Sequence, residues 1–133
     1  MLGMSQRSDN QGRVSLHGRA VAVVDDDEAV CDSTRLLLEI QNFEVRTYLS
    51  GLDFLKDDTG VGCLILDYHM PDLNGLELTS ELRARGSEVP IIMISAATDP
   101  TLERRAAQLG IKRILQKPLS TQVLLKAVRD ELG

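Results

Sequence analysis

The chain has 133 residues, enough for one domain with one core and too few for two of ordinary size. It is 43% hydrophobic and 26% charged, a globular balance, and only 3% aromatic, so stacking platforms for single-stranded nucleic acid are scarce. A net charge of -5 and a pI of about 5.0 argue against direct nucleic-acid binding by this segment and against a grip on anionic membranes.

Residues 1–18 are polar, rich in Gly, Ser, Gln and Asn, and without period; they are predicted to be a flexible tail ahead of a domain over 19–133. No secretory h-region is visible, and no apolar run approaches the roughly 20 residues of a membrane span, so a cytoplasmic location is expected. From Arg19 onward short apolar runs alternate with helical patterns, the signature of βα units around a parallel sheet. The first strand is predicted over Ala20 to Val24. A helix follows from Asp27 or Glu28 to Gln41, with Val30, Leu37, Leu38 and Ile40 as its apolar stripe and Asp27 and Glu28 as capping residues.

A second strand is expected over Glu44 to Thr47, then a short helix opened by Ser50-Gly51 that carries Leu52 and Leu55. The third strand ends at Asp67. The third helix starts near Leu73, buries Leu76, Leu78 and Leu82, and stops at Arg85-Gly86. Val89 to Ser95 form the fourth strand, and Pro100 to Leu109 a helix with Leu102, Ala106 and Leu109 inward, stopped by Gly110. Arg113 to Gln116 make the fifth strand. Ser120 to Leu132 make the last helix, with Val123, Leu124, Ala127 and Val128 on one side. Five such units cannot close an eight-stranded barrel of roughly 250 residues. A doubly wound, open five-stranded parallel sheet is the remaining solution. Cys31 and Cys63 lack metal-ligand spacing and are expected to be reduced, buried thiols.

All strands of a parallel sheet end on one edge, where open α/β sheets place reactive groups. Asp25 and Asp26 after the first strand, Asp67 after the third, Ser95 after the fourth and Lys117 after the fifth can therefore converge. Three adjacent carboxylates repel one another, and a divalent cation is the expected remedy; hard oxygen ligands favour Mg²⁺. Carboxylate, hydroxyl, ammonium and Mg²⁺ together suit phosphoryl transfer to an aspartate. Asp67 stands alone at its strand end and is the expected nucleophile, while Asp25 and Asp26 are paired as metal ligands are.

The stretches VAVVDDDEAV, CLILDYHMPDLNGLEL, PIIMISA and ILQKPL resemble the receiver domain of two-component response regulators over about residues 20–132. The resemblance implies a flavodoxin-like (βα)5 fold with strand order 2-1-3-4-5. It makes Asp67 the phosphoacceptor, Asp25 and Asp26 the acidic pair, and Ser95 and Lys117 the hydroxyl and lysine of the site. It adds the backbone carbonyl of His69 as a metal ligand, a cis bond between Lys117 and Pro118, and Ser95 as a switch residue. At the family's second switch position, usually aromatic, stands Ile114, so coupling is expected through helix four or its preceding loop, Ala96-Ala97-Thr98-Asp99, by packing.

The implied function is a phosphoacceptor module rather than an enzyme, catalysing only its own phosphorylation and dephosphorylation. Its donor would be a sensor histidine kinase or histidine phosphotransfer protein, and the face of helix four, strand five and helix five would change its preference for a downstream output domain or protein. Phosphorylation-dependent homodimerisation is one output such a module can have. His69 is read as an edge residue that tunes water access, and Arg104 and Arg105 as a solvated helix face. An ending at Leu132-Gly133 suits a stand-alone regulator and a receiver within a longer protein alike. Two alternatives stay open on the residues alone. One is a haloacid-dehalogenase-like phosphohydrolase with Asp25 as nucleophile, because Asp25-Asp26-Asp27 holds an Asp-x-Asp pattern after a strand. The other is a receiver-like interaction domain that signals without phosphate.

Overall fold

Strands that are apolar at consecutive positions bury both faces and require helices above and below the sheet. In the computed structural model, which describes residues 19–132, that is the arrangement; the expected tail over 1–18 lies outside the described residues. The elements run β1 (Ala20–Val24), α1 (Glu28–Ile40), β2 (Val45–Tyr48), α2 (Gly51–Leu55), β3 (Val61–Asp67), α3 (Gly75–Ala84), β4 (Ile91–Ser95), α4 (Pro100–Gln108), β5 (Arg113–Gln116) and α5 (Thr121–Leu132). All strand pairs are parallel, in the order β2-β1-β3-β4-β5. Fold class and strand order agree with expectation.

Alternate residues of each strand enter opposite cores, as the period of two demands. Val21, Val23, Cys63, Ile65, Ile92 and Ile94 face α1 and α5, while Ala22, Val24, Leu64, Leu66, Ile91 and Met93 face α2, α3 and α4. All five helices begin at side-chain caps: Asp27 accepts from the Ala29 and Val30 amides, Ser50 from Asp53, Asn74 from Glu77, Asp99 from Leu102 and Ser120 from Val123. Asn74 and Glu77 form a reciprocal capping box, which starts α3 two residues after the expected Leu73. Gly86 and Gly110 follow α3 and α4 with positive φ, at the expected stops.

Two helix faces, those of α1 and α5, differ from expectation for the same geometric reason. Successive helical residues turn by about 100°. In α1, Cys31 and Leu38 lie two turns apart on the buried face; Val30 and Ile40 point outward, with Ile40 65% exposed. In α2 the buried residue is Phe54, stacked edge-on against Tyr48, and Leu52 is exposed. In α5, Leu125 joins Leu124, Ala127 and Val128 inside, whereas Val123 is exposed. Strand β2 starts one residue later than expected and β4 two later, after Pro90, whose ring nitrogen has no N–H for the ladder.

Two contacts fix the elements nearest the sheet's C-terminal edge. The Gly75 amide donates to the Tyr68 carbonyl at 2.9 Å. A Cβ on Gly75 would stand 3.0 Å from the Asp67 carbonyl oxygen, the Tyr68 Cα and the Met93 Cε, so glycine lets α3 start directly against β3. At the far end of α4, the half-buried Arg83 donates from Nε to the Leu109 carbonyl at 2.8 Å and from Nη1 to the Ser87 and Val89 carbonyls. Gly75→Ala is expected to lower stability by about 1–3 kcal/mol through this backbone overlap. Urea denaturation should show a lower midpoint at unchanged slope; an unshifted midpoint would mean that α3 yields without cost.

Candidate functional site

Register brings the strand ends together. Val24 pairs with Leu66 and Asp67 with Ile94, while Ser95 pairs with Gln116, so residues 25, 67, 95 and 117 emerge on one edge. The Lys117 amide donates to the Ser95 carbonyl at 2.9 Å, and the Tyr68 amide to the Ile94 carbonyl at 2.9 Å. The Lys117–Pro118 peptide bond is cis.

Asp25, Asp26 and Asp67 each offer a carboxylate oxygen within 4.8 Å of the others. Asp25 and Asp67 are buried and Asp26 is exposed. The Lys117 ammonium stands 3.2 Å from Asp67 Oδ1. Asp25 Oδ1 accepts from the Asp27 amide at 2.9 Å. Ser95, also buried, is engaged within its own loop: its hydroxyl donates to the Ala97 carbonyl at 2.6 Å and accepts from the Ala97 amide at 3.4 Å. His69 is exposed at the rim, its ring 4.8 Å from that of Tyr68. Ile114 is half-buried, paired with Met93 and packed into the core beneath α2, α3 and α4. Arg104 and Arg105 are exposed on α4.

Burial pushes the Asp25 carboxyl up to about 6, helped by the neighbouring Asp67 and Asp26 charges and opposed by the Asp27 amide and Lys117. Burial likewise holds Asp67 above the ordinary carboxylate range, although Lys117 works in the opposite direction. Two buried carboxyls with raised proton affinity beside a third carboxylate form a site short of positive charge. The donor set is all oxygen, which suits a hard divalent cation such as Mg²⁺.

Sequence reasoning missed two groups here. The Cys31 thiol, in the first turn of α1, lies 3.3 Å from the Asp25 carbonyl and ties the helix to the acidic loop. Burial pushes that thiol up to about 11, so it is a packing and hydrogen-bonding group rather than a nucleophile. Its spacing from Asp25 could have suggested the contact. Gln116 is the other: its side-chain amide donates to the Ala96 carbonyl at 3.3 Å. Nothing in the hydrophobic period singles it out.

The profile of the response regulator receiver domain family matches residues 21–129. The chain belongs to that family. It is 39% identical over 117 residues to the transcriptional regulatory protein FixJ of Azorhizobium caulinodans, covering 85% of this chain and 54% of FixJ. To the transcriptional regulatory protein TdiR of Thauera aromatica it is 41% identical, covering 85% of this chain and 51% of TdiR. The chain thus spans about half the length of these curated relatives. Among solved structures it is similar to the chemotaxis protein CheY4 of Vibrio cholerae, with a TM-score of 0.80, 25% identity, and coverage of 86% of this chain and 98% of that one. The domain is a two-component response regulator receiver, and it is not an enzyme in the usual sense. Among the described residues no helix is long and apolar enough to cross a membrane.

The raised Asp25 value sets a direction for stability. The folded chain binds this proton more tightly than the unfolded chain does, from 3.8 up to about 6, so Asp25 costs nothing below pH 3.8. Its cost grows as pH rises through that window and is complete above it. With divalent cations chelated, Asp25→Asn is expected to stabilise the domain by about 1–3 kcal/mol at pH 7.5, and by almost nothing at pH 4. Denaturation curves at the two pH values check this, and an Asp25→Asn gain independent of pH would contradict it.

Proposed function

We propose that the domain accepts a phosphoryl group on Asp67 from the phosphohistidine of a sensor histidine kinase or histidine phosphotransfer protein, with Mg²⁺ as cofactor. The observation that carries the reading is the Asp67 carboxylate, buried at the end of β3, 3.2 Å from Lys117 and within reach of the Asp25 and Asp26 carboxylates. Asp25, Asp26, Asp67 and the His69 backbone carbonyl are the proposed Mg²⁺ ligands. Bound there, Mg²⁺ supplies positive charge against the phosphoryl oxygens.

The chain's own groups do the rest. An Asp67 carboxylate oxygen forms the new O–P bond as the P–N bond of the donor breaks; the imidazole nitrogen keeps the electron pair and then takes a proton. Lys117, already bonded to Asp67, follows the negative charge onto the phosphoryl oxygens. Ser95 must rotate off the Ala97 carbonyl to donate its hydroxyl to the same group. Loss of the phosphoryl group is attack by water on phosphorus, releasing phosphate and restoring the carboxylate. His69, exposed at the rim, bounds the approach of that water. One chain carries one phosphoryl group, so the chemistry is self-modification.

The acyl phosphate adds charge and shifts a two-state equilibrium rather than turning over a substrate. Movement of Ser95 and the loop over 96–99 reaches the face formed by α4, β5 and α5 by packing, through the aliphatic Ile114, and changes its affinity for an output domain, a separate protein or a second copy. FixJ and TdiR are named transcriptional regulatory proteins; an output acting on transcription is the corresponding proposal for this chain. Work in the cytoplasm belongs to the same reading.

Intact mass after incubation with Mg²⁺ and acetyl phosphate tests it. The wild type should gain one labile phosphoryl increment, and Asp67→Asn none. Lys117→Met should slow the gain on the order of a hundredfold, the size of losing one preorganised charge. His69→Ala should change the rate at which the adduct decays. An adduct retained in Asp67→Asn and lost in Asp25→Asn, with repeated turnover of a phosphate ester, would instead support the phosphohydrolase. No adduct on a folded wild type offered both acetyl phosphate and a phosphorylated donor would support phosphate-independent signalling.

A further inference from the structure

Two consecutive carbonyls of the β4–α4 loop are held by side chains from different strands. Ala97 accepts from the Ser95 hydroxyl at 2.6 Å, and Ala96 from the Gln116 side-chain amide at 3.3 Å. Gln116 sits opposite Ser95 in the β4–β5 register and immediately before Lys117, whose amide is bonded to the Ser95 carbonyl at 2.9 Å. The loop leaving Ser95 is therefore pinned from its own strand and from β5. The C-terminal end of α4 is anchored separately, by Arg83 Nε donating to the Leu109 carbonyl at 2.8 Å.

We propose that Gln116 is a positioning residue that latches the β4–α4 loop in the arrangement in which the Ser95 hydroxyl is occupied by Ala97. The inference deepens the phosphoacceptor reading of Asp67 and rests on it. Its physical content is a competition for one proton donor. While Gln116 holds Ala96, the Ala97 carbonyl stays where Ser95 can reach it, and turning Ser95 towards a phosphoryl group forfeits that bond. Releasing Gln116 loosens Ala96, lets the Ala97 carbonyl drift, and lowers the cost of the turn. The latch also supplies a polar link between the site and β5, in a chain whose β5 offers the aliphatic Ile114.

Gln116 is exposed, and among the described residues its side chain makes no hydrogen bond to Asp67 or the acidic pair, so its loss leaves the reacting groups in place. Gln116→Met keeps the length and removes the donor; Gln116→Asn keeps the amide but is too short to reach. Both should be phosphorylated by acetyl phosphate and Mg²⁺ about two- to tenfold faster than wild type, the range for one modest hydrogen bond. A merely structural role is separated by a cycle with Ser95→Ala. In that background there is no hydroxyl to release, and Gln116→Met should leave the rate unchanged.

Equal rates for wild type and both Gln116 variants would overturn the latch while leaving the phosphoacceptor intact. The same acceleration in the Ser95→Ala background would overturn it too, since the effect would not pass through the hydroxyl. A wild type that takes no phosphoryl group from any donor would overturn both readings together.

Discussion

Crowding of carboxylates at one edge of a parallel sheet is the interaction on which the rest of this structure turns. Parallel pairing sends every strand end to the same side, and the register aligns the end of β1 with the end of β3. Asp25 and Asp67 are thereby buried side by side, with Asp26 at the mouth. A single isolated carboxylate in such a place would take up a proton; two beside a third can be held ionised only by positive charge. Lys117 meets part of that demand at Asp67. The balance is an unmet demand for positive charge, which an all-oxygen donor set fits to a hard divalent cation.

Rigidity is distributed to protect that edge and to leave one neighbour free. β3 and α3 are locked by the approach at Gly75 and by the capping box of Asn74 and Glu77, while α1 is tied to the acidic loop by Asp27 and Cys31. Across the site, the β4–α4 loop is held by side-chain hydrogen bonds at Ala96 and Ala97 rather than by packing, its alanines being exposed. Such bonds are worth little each and exchange readily. The stiff side of the site fixes the geometry of the Asp67 carboxylate; in the proposed function, the soft side is where a change in charge becomes a change in shape.

Much of this was legible in the sequence because it follows from period and punctuation. The runs ending at Val24, Asp67 and Ser95 could only be buried strands, and Gly86 and Gly110 marked real stops. Convergence of residues 25, 26 and 67 follows from parallel topology alone. Helix faces were harder. In α1 apolar residues nearly surround the axis, so composition could not tell Cys31 and Leu38 from Val30 and Ile40; which face meets the sheet is decided by β2 and α5 on either side. The inward Leu125 lost out to the neighbouring Val123 for the same reason. The orientation of Ser95 and the bond from Gln116 depend on loop dihedrals that no period encodes.

The most direct measurement is a calorimetric titration with Mg²⁺ at pH 6 and again at pH 8, each in two buffers of different ionisation heat. If burial and crowding hold the Asp25 proton up to about pH 6, binding at pH 6 must expel it, and the apparent heat will depend on the buffer. At pH 8 that dependence should vanish, and Asp25→Asn should weaken binding at both values. Heats identical in both buffers at pH 6, or binding undiminished in Asp25→Asn, would contradict the view that this edge is organised by excess negative charge.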